Sequence, residues 1–174
     1  MKMGKRMGAL FLVLTLLGGL LGCGKPAARY FSYLDAPFCA ELAGKVDGLS
    51  FAATLASEGR ATTGAMPAGM PAATLTFTSP ATLAGMEVRF CPETGWKVTL
   101  GDLEGAADGT GMGEVAALLL TERSVSATRR EAGCVILSLD GGVTLYLDEK
   151  TNRPVRVTCA ANGRLVEVAV VGWE

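Results

Sequence analysis

The alternation of apolar and polar residues in the C-terminal third constrains this chain most. Val143, Leu145 and Leu147 alternate with Thr144, Tyr146 and Asp148. Val155, Val157 and Cys159 alternate with Arg156 and Thr158, and Val166, Val168 and Val170 continue the pattern. A period of two puts each apolar set on one face of a strand. Cys134 to Leu139 adds another strand. Asp140-Gly141-Gly142, the Asp148 to Arg153 stretch and Asn162-Gly163 punctuate the run with turn chemistry. Connections this short join antiparallel neighbours. The result is a meander with one apolar face, and that face needs cover.

The same period recurs upstream. Phe38, Ala40 and Leu42 share a face in Phe38 to Gly44, and Phe51, Ala53 and Leu55 share one in Ser50 to Ala56. Asp47-Gly48 between them predicts a hairpin. Further strands are expected over Thr74 to Thr78, Met86 to Phe90 and Trp96 to Leu100. Helical spacing is confined to two places. Tyr30, Phe31 and Leu34 suit a short helix over Arg29 to Asp35, ended by Pro37. Val115, Leu118, Leu119 and Glu122 predict a helix over Glu114 to Arg123 whose apolar stripe faces the sheet. Arg123, Arg129 and Arg130 read as solvated charges near its end.

Glu58 to Pro71 and Gly101 to Gly113 read as surface loops, rich in small residues and without either period. The second holds Asp102, Glu104 and Asp108. It lacks a calcium-loop pattern, because the fifth, sixth and twelfth positions from Asp102 are Ala106, Ala107 and Gly113. Gly109 to Gly113 lacks the Gly-Lys-Ser/Thr ending of a phosphate loop.

Histidine is absent from the whole chain. That removes Ser-His-Asp and Cys-His sites, His-liganded zinc and His general bases. No Ser-x-x-Lys motif replaces them, so a non-enzymatic protein without a cofactor or metal is expected. Cys39, Cys91, Cys134 and Cys159 are widely spaced, which argues against zinc or a redox dithiol. They read as small buried hydrophobes, with a single disulfide as the alternative, in any of three pairings.

The N-terminus carries a different signal. Lys2, Lys5 and Arg6 precede an apolar run from Ala9 to Leu21, then Gly22 and Cys23. The run is shorter than the ~20 residues of a spanning helix, and Gly24-Lys25-Pro26 follow. Leu20-Leu21-Gly22-Cys23 resembles the lipobox of bacterial lipoproteins position by position. The resemblance implies cleavage before Cys23, lipidation of its thiol and an extracytoplasmic, membrane-anchored protein. Two acyl chains suffice for stable anchoring. In a bacterium with two membranes, Gly24 after Cys23 implies outer-membrane sorting. Residues 1–22 are then the signal, 23–28 the lipidated cysteine and tether, and 29–174 one domain. The 152 residues after the signal carry 13 basic and 17 acidic groups. This balance argues against nucleic-acid binding.

Phe38-Cys39-Ala40-Glu41-Leu42 after a short helix, Leu145 to Val155 with its Asp-x-x-Thr-x-x-Pro turn, and Arg164 to Val171 as a closing strand together resemble the LolA/LppX-like half-barrels. The chain also resembles small lipoproteins of anaerobic Gram-positive bacteria. The expected class is α+β: a single curved antiparallel sheet, a half-barrel, covered by one or two short helices. The resemblance implies a concave face that holds a lipid or other apolar ligand. Phe38, Phe51, Phe77, Met86 and Phe90 are the candidate lining residues. The alternatives are a filled core and an envelope protein that acts through its surface loops on a protein partner.

Overall fold

The computed structural model describes residues 27–60, 70–106, 111–161 and 164–174. The signal, the lipobox with Cys23, most of the tether, most of the Glu58 to Pro71 loop and the Asn162-Gly163 turn lie outside them. The chain opens with a 3₁₀ segment, Ala27–Asp35, interrupted at Phe31. Six strands follow: β1 (Phe38–Val46), β2 (Leu49–Ser57), β3 (Ala73–Ser79), β4 (Glu87–Cys91), β5 (Gly95–Leu100) and β6 (Leu103–Ala106). One α-helix, α1 (Gly111–Leu120), precedes β7 (Val125–Glu131), β8 (Cys134–Leu139), β9 (Val143–Asp148), β10 (Pro154–Ala161) and β11 (Arg164–Trp173).

All eleven strands form one antiparallel sheet in the order β6-β5-β4-β3-β2-β1-β11-β10-β9-β8-β7. Each half is a simple meander. The halves join where β1 pairs with β11, and reciprocal bonds between Cys39 and Glu174 (3.0 and 2.8 Å) fasten the end of that seam. The register keeps the apolar faces together. Leu137 lies opposite Leu145, Leu145 opposite Val157, and Val157 opposite Val168. All four are fully buried. The row continues through Gly44 to Phe51. A Cβ on Gly44 would stand 2.7 Å from the Phe51 ring and 2.6 Å from the Glu167 carbonyl. The glycine is needed because the phenyl ring covers it.

The sheet is wrapped. At the start of α1, Gly113 lies against Trp96 of β5, while Glu114 pairs with Arg164 of β11 at 3.1 Å. Those strands are five places apart in the sheet, about 24 Å if it were flat at ~4.8 Å per strand. A helix only ~10–12 Å across reaches both because the sheet curls around it. The same helix packs against β4 and β10, so it lies across the concave side.

The α+β class expected from the sequence is therefore corrected. The described chain is mostly one large β-sheet with two short helical pieces, and the half-barrel is a β architecture in which helices are minor. Part of the excess over expectation is β6, which lies in the stretch read as a Gly101 to Gly113 loop. The rest is β7, which holds the arginines read as charges near a helix end. Both are edge strands, β6 fully exposed and β7 nearly so, and without a buried face neither shows apolar alternation.

Candidate functional site

The concave face is built from alternate residues of β1 to β5 and β8 to β11, and the 3₁₀ segment and α1 cover it. From the first, Phe31 and Leu34 are buried; from the second, Val115, Ala116, Leu118, Leu119 and Leu120. Polar contacts lock the two covers together. The Tyr33 hydroxyl donates to the Leu119 carbonyl at 2.7 Å, satisfying one of the free carbonyls at the helix end. Burial pushes the Tyr33 hydroxyl pKa up, against the opposing pull of Arg60. Arg60 donates to Glu122 at 2.8 Å and to the Phe31 carbonyl at 3.3 Å, linking the end of β2 to both covers.

The turn after β9 holds the 3₁₀ segment from outside. Asp148 accepts from the Lys150 and Thr151 amides (3.1 and 2.8 Å) and from the Thr151 hydroxyl (2.9 Å). These bonds, the Thr151 amide first, hold the Asp148 pKa below its ordinary value. The turn puts Asn152 at positive φ, where its amide donates to the Arg29 carbonyl and the Ser32 hydroxyl, each at 3.0 Å. The Asp-x-x-Thr-x-x-Pro pattern thus shapes a clasp for the start of the fold.

Phe38, Phe51, Phe77, Met86 and Phe90, the lining residues expected from the sequence, all lie on β1 to β4 or at their ends. Phe38, Phe51, Phe77 and Met86 belong to the packed core. Phe38 stacks on Trp173 with ring centres 4.4 Å apart, and Phe51 meets Phe77 edge-on at 5.7 Å. Phe90 is half-buried against Trp96 (5.0 Å) and borders a cavity of about 410 Å³ at the ends of β2, β3 and β4. Cys39, Cys91, Cys134 and Cys159 are free and half-buried.

A cleft of about 200 Å³ lies on the other half of the concave side, between α1 and the sheet. Ala117 and Leu118 of the helix face Val143, Cys159 and Val166 of β9, β10 and β11; Glu114, Arg123, Gly141 and Arg164 border it. The sequence reading assigns Val143 and Val166 to the apolar face and Leu118 to the helix stripe. It does not bring them together, because that requires the curl of the sheet. Arg123 is not a solvated charge. It is half-buried, and its Nε is shielded with no hydrogen-bond partner. A third cavity, of about 470 Å³, opens on the convex side. There Arg156 lies 4.3 Å over the Tyr146 ring, beside Cys134 and the buried Ile136. Among the described residues, no helix is long and apolar enough to cross a membrane.

No family model matches the sequence, and no curated protein matches it. Solved structures do. An uncharacterized conserved protein from Thermus thermophilus aligns at TM-score 0.50 and 13% identity, over 85% of this chain and 84% of that one. MucB aligns at TM-score 0.51 and 12% identity, over 87% of this chain and 59% of its own. A LolA superfamily protein from Nitrosomonas europaea aligns at TM-score 0.46 and 10% identity, over 85% and 92%. At these identities the likeness is one of fold alone. At that level the chain shares its fold with the Thermus thermophilus protein and with MucB.

Proposed function

We propose that this chain is an extracytoplasmic lipoprotein, anchored through Cys23, whose half-barrel holds a lipid or other apolar ligand on its concave side without catalysing a reaction on it. The observation that carries the ligand reading is the cleft under α1, walled by Leu118, Val143 and Val166 and open beside charged groups. Ligand pockets combine such apolar walls with a few placed polar groups. The lipobox carries the anchor. The absence of histidine supports a binding role over an enzymatic one.

A second reading, a filled core and an envelope protein that works through its surface, is favoured by one observation. Phe38, Phe51, Phe77 and Met86 are already packed in the core, Phe38 on Trp173 and Phe51 on Phe77. Native mass spectrometry of the protein purified from its own cells separates the two. A co-purifying mass, released on activation and identified as lipid, supports the ligand reading. A clean apo mass that stays unchanged after incubation with envelope lipids contradicts it and favours the second. Metabolic fatty-acid labelling tests the anchor. The label is expected on the native chain and absent from Cys23→Ser; label persisting on that variant refutes the lipobox.

A further inference from the structure

We infer that the β9–β10 turn and the start of the 3₁₀ segment form a docking surface for an anionic bilayer, with Arg29, Lys150 and Arg153 on the lipid headgroups. The inference rests on the anchored-lipoprotein reading above and adds how the domain lies on its membrane.

The fold assembles this patch from two distant stretches. Lys150 and Arg153 stand in the turn, and Asn152 between them donates to the Arg29 carbonyl at 3.0 Å and the Tyr30 carbonyl at 3.3 Å. That clasp sets Arg29 beside the turn. Arg29, Lys150 and Arg153 are all exposed. Among the described residues, none of the three makes an ion pair. Their acidic neighbours in the turn are engaged elsewhere. Asp148 accepts from the Lys150 and Thr151 amides and the Thr151 hydroxyl, and Glu149 pairs with Arg130 at 3.0 Å. Glu174, next to Trp173, is the acidic exception. Arg153 lies 5.6 Å over the ring of the half-buried Trp173. An aromatic with an apolar body and a polar N–H suits a membrane interface.

The tether decides the occupant. Ala27, where the 3₁₀ segment begins, is four residues after Cys23. At ~3.3–3.6 Å per residue those four reach no further than ~14 Å, and Arg29 follows two residues later. Cations held this close to a lipid anchor feel headgroup charge across a Debye length of ~8 Å. Lys25, in the tether itself, adds a fourth. Each basic residue at an anionic surface strengthens attraction about fivefold. The same end of the other half-sheet carries Glu58, after β2, and Glu93, between β4 and β5. The domain therefore rests on its β9–β10 side.

The test is tryptophan quenching in the native, lipidated protein reconstituted into phosphatidylcholine vesicles, with and without phosphatidylglycerol. The quencher is a phosphatidylcholine with a nitroxide on its headgroup. The chain has two tryptophans, Trp96 and Trp173. Quenching is expected to be at least about twofold greater with phosphatidylglycerol, and to fall to the phosphatidylcholine level in ~1 M salt. Trp96→Phe should keep this increment and Trp173→Phe should remove it. Combined Arg29→Gln, Lys150→Gln and Arg153→Gln should also remove it. Should that triple variant not fold, Arg29→Gln with Lys150→Gln leaves the Arg153–Trp173 contact intact and should lose roughly half or more of the increment.

Equal quenching in the two vesicle types overturns the inference and leaves the anchor reading standing. An increment that persists in Trp173→Phe, or undiminished in the folded charge variant, also overturns it. Protein that ~1 M salt strips from the vesicles contradicts the anchor instead. A phosphatidylglycerol-dependent increment before stripping still supports the patch, and its absence overturns both.

Discussion

Single residues hold the two covers of the concave face, and their loss should be measurable. Tyr33→Phe leaves the Leu119 carbonyl without its donor inside the core. The expected cost is about 1–2 kcal/mol in urea unfolding; an unchanged midpoint would mean that this bond does not secure α1. The pH dependence has a definite sign. The folded pKa of Tyr33 is raised, so its contribution is complete below the ordinary tyrosine pKa of ~10 and is lost as pH rises beyond it. Asp148 behaves in the opposite way. Its folded pKa is depressed by bonds from Thr151 and Lys150, so its contribution is present above the ordinary aspartate value and is lost as pH falls through the folded one. Thermal melting of the native chain and Asp148→Asn should show the native chain more stable at neutral pH, with the gap closing in acid. A gap that is constant with pH would show that the carboxylate charge is not what holds the turn.

At the scale of elements, the β1–β11 seam decides whether two meanders become one sheet. Gly44→Val places a side chain against the Phe51 ring and the Glu167 carbonyl. It should destabilise by about 1–3 kcal/mol, the usual cost of overpacking, as read from denaturant midpoints. A wild-type midpoint would show that the ring moves aside freely. Element by element, strands with a buried face were legible in the sequence, because burial on one side imposes the period of two. β1 to β4 and β8 to β11 are of this kind, and β5 has Trp96 and Val98 half-buried against the core. β6 and β7 have no buried face and therefore carry no such period. The first helix was legible as an apolar cluster at Tyr30, Phe31 and Leu34. Its break at Phe31 falls where Asn152 takes the Arg29 and Tyr30 carbonyls, contacts distant in sequence that no local pattern shows.

Over the whole molecule, curvature makes the candidate site. Val143, Val166, Leu118 and Arg123 become neighbours only because the sheet wraps α1, and no local pattern encodes that meeting. Composition marked the two halves of the cleft, the apolar strand face and the helix stripe, but not their meeting. The most direct test is photo-crosslinking. Native protein is incubated with a fatty acid carrying a diazirine on its alkyl chain, irradiated, digested and mapped by mass spectrometry. Adducts on Leu118, Val143, Cys159 or Val166, suppressed by excess unlabelled fatty acid, are the expected result. Adducts confined to the convex side around Ile136 and Tyr146, or none that competitor suppresses, would contradict a ligand site on the concave face.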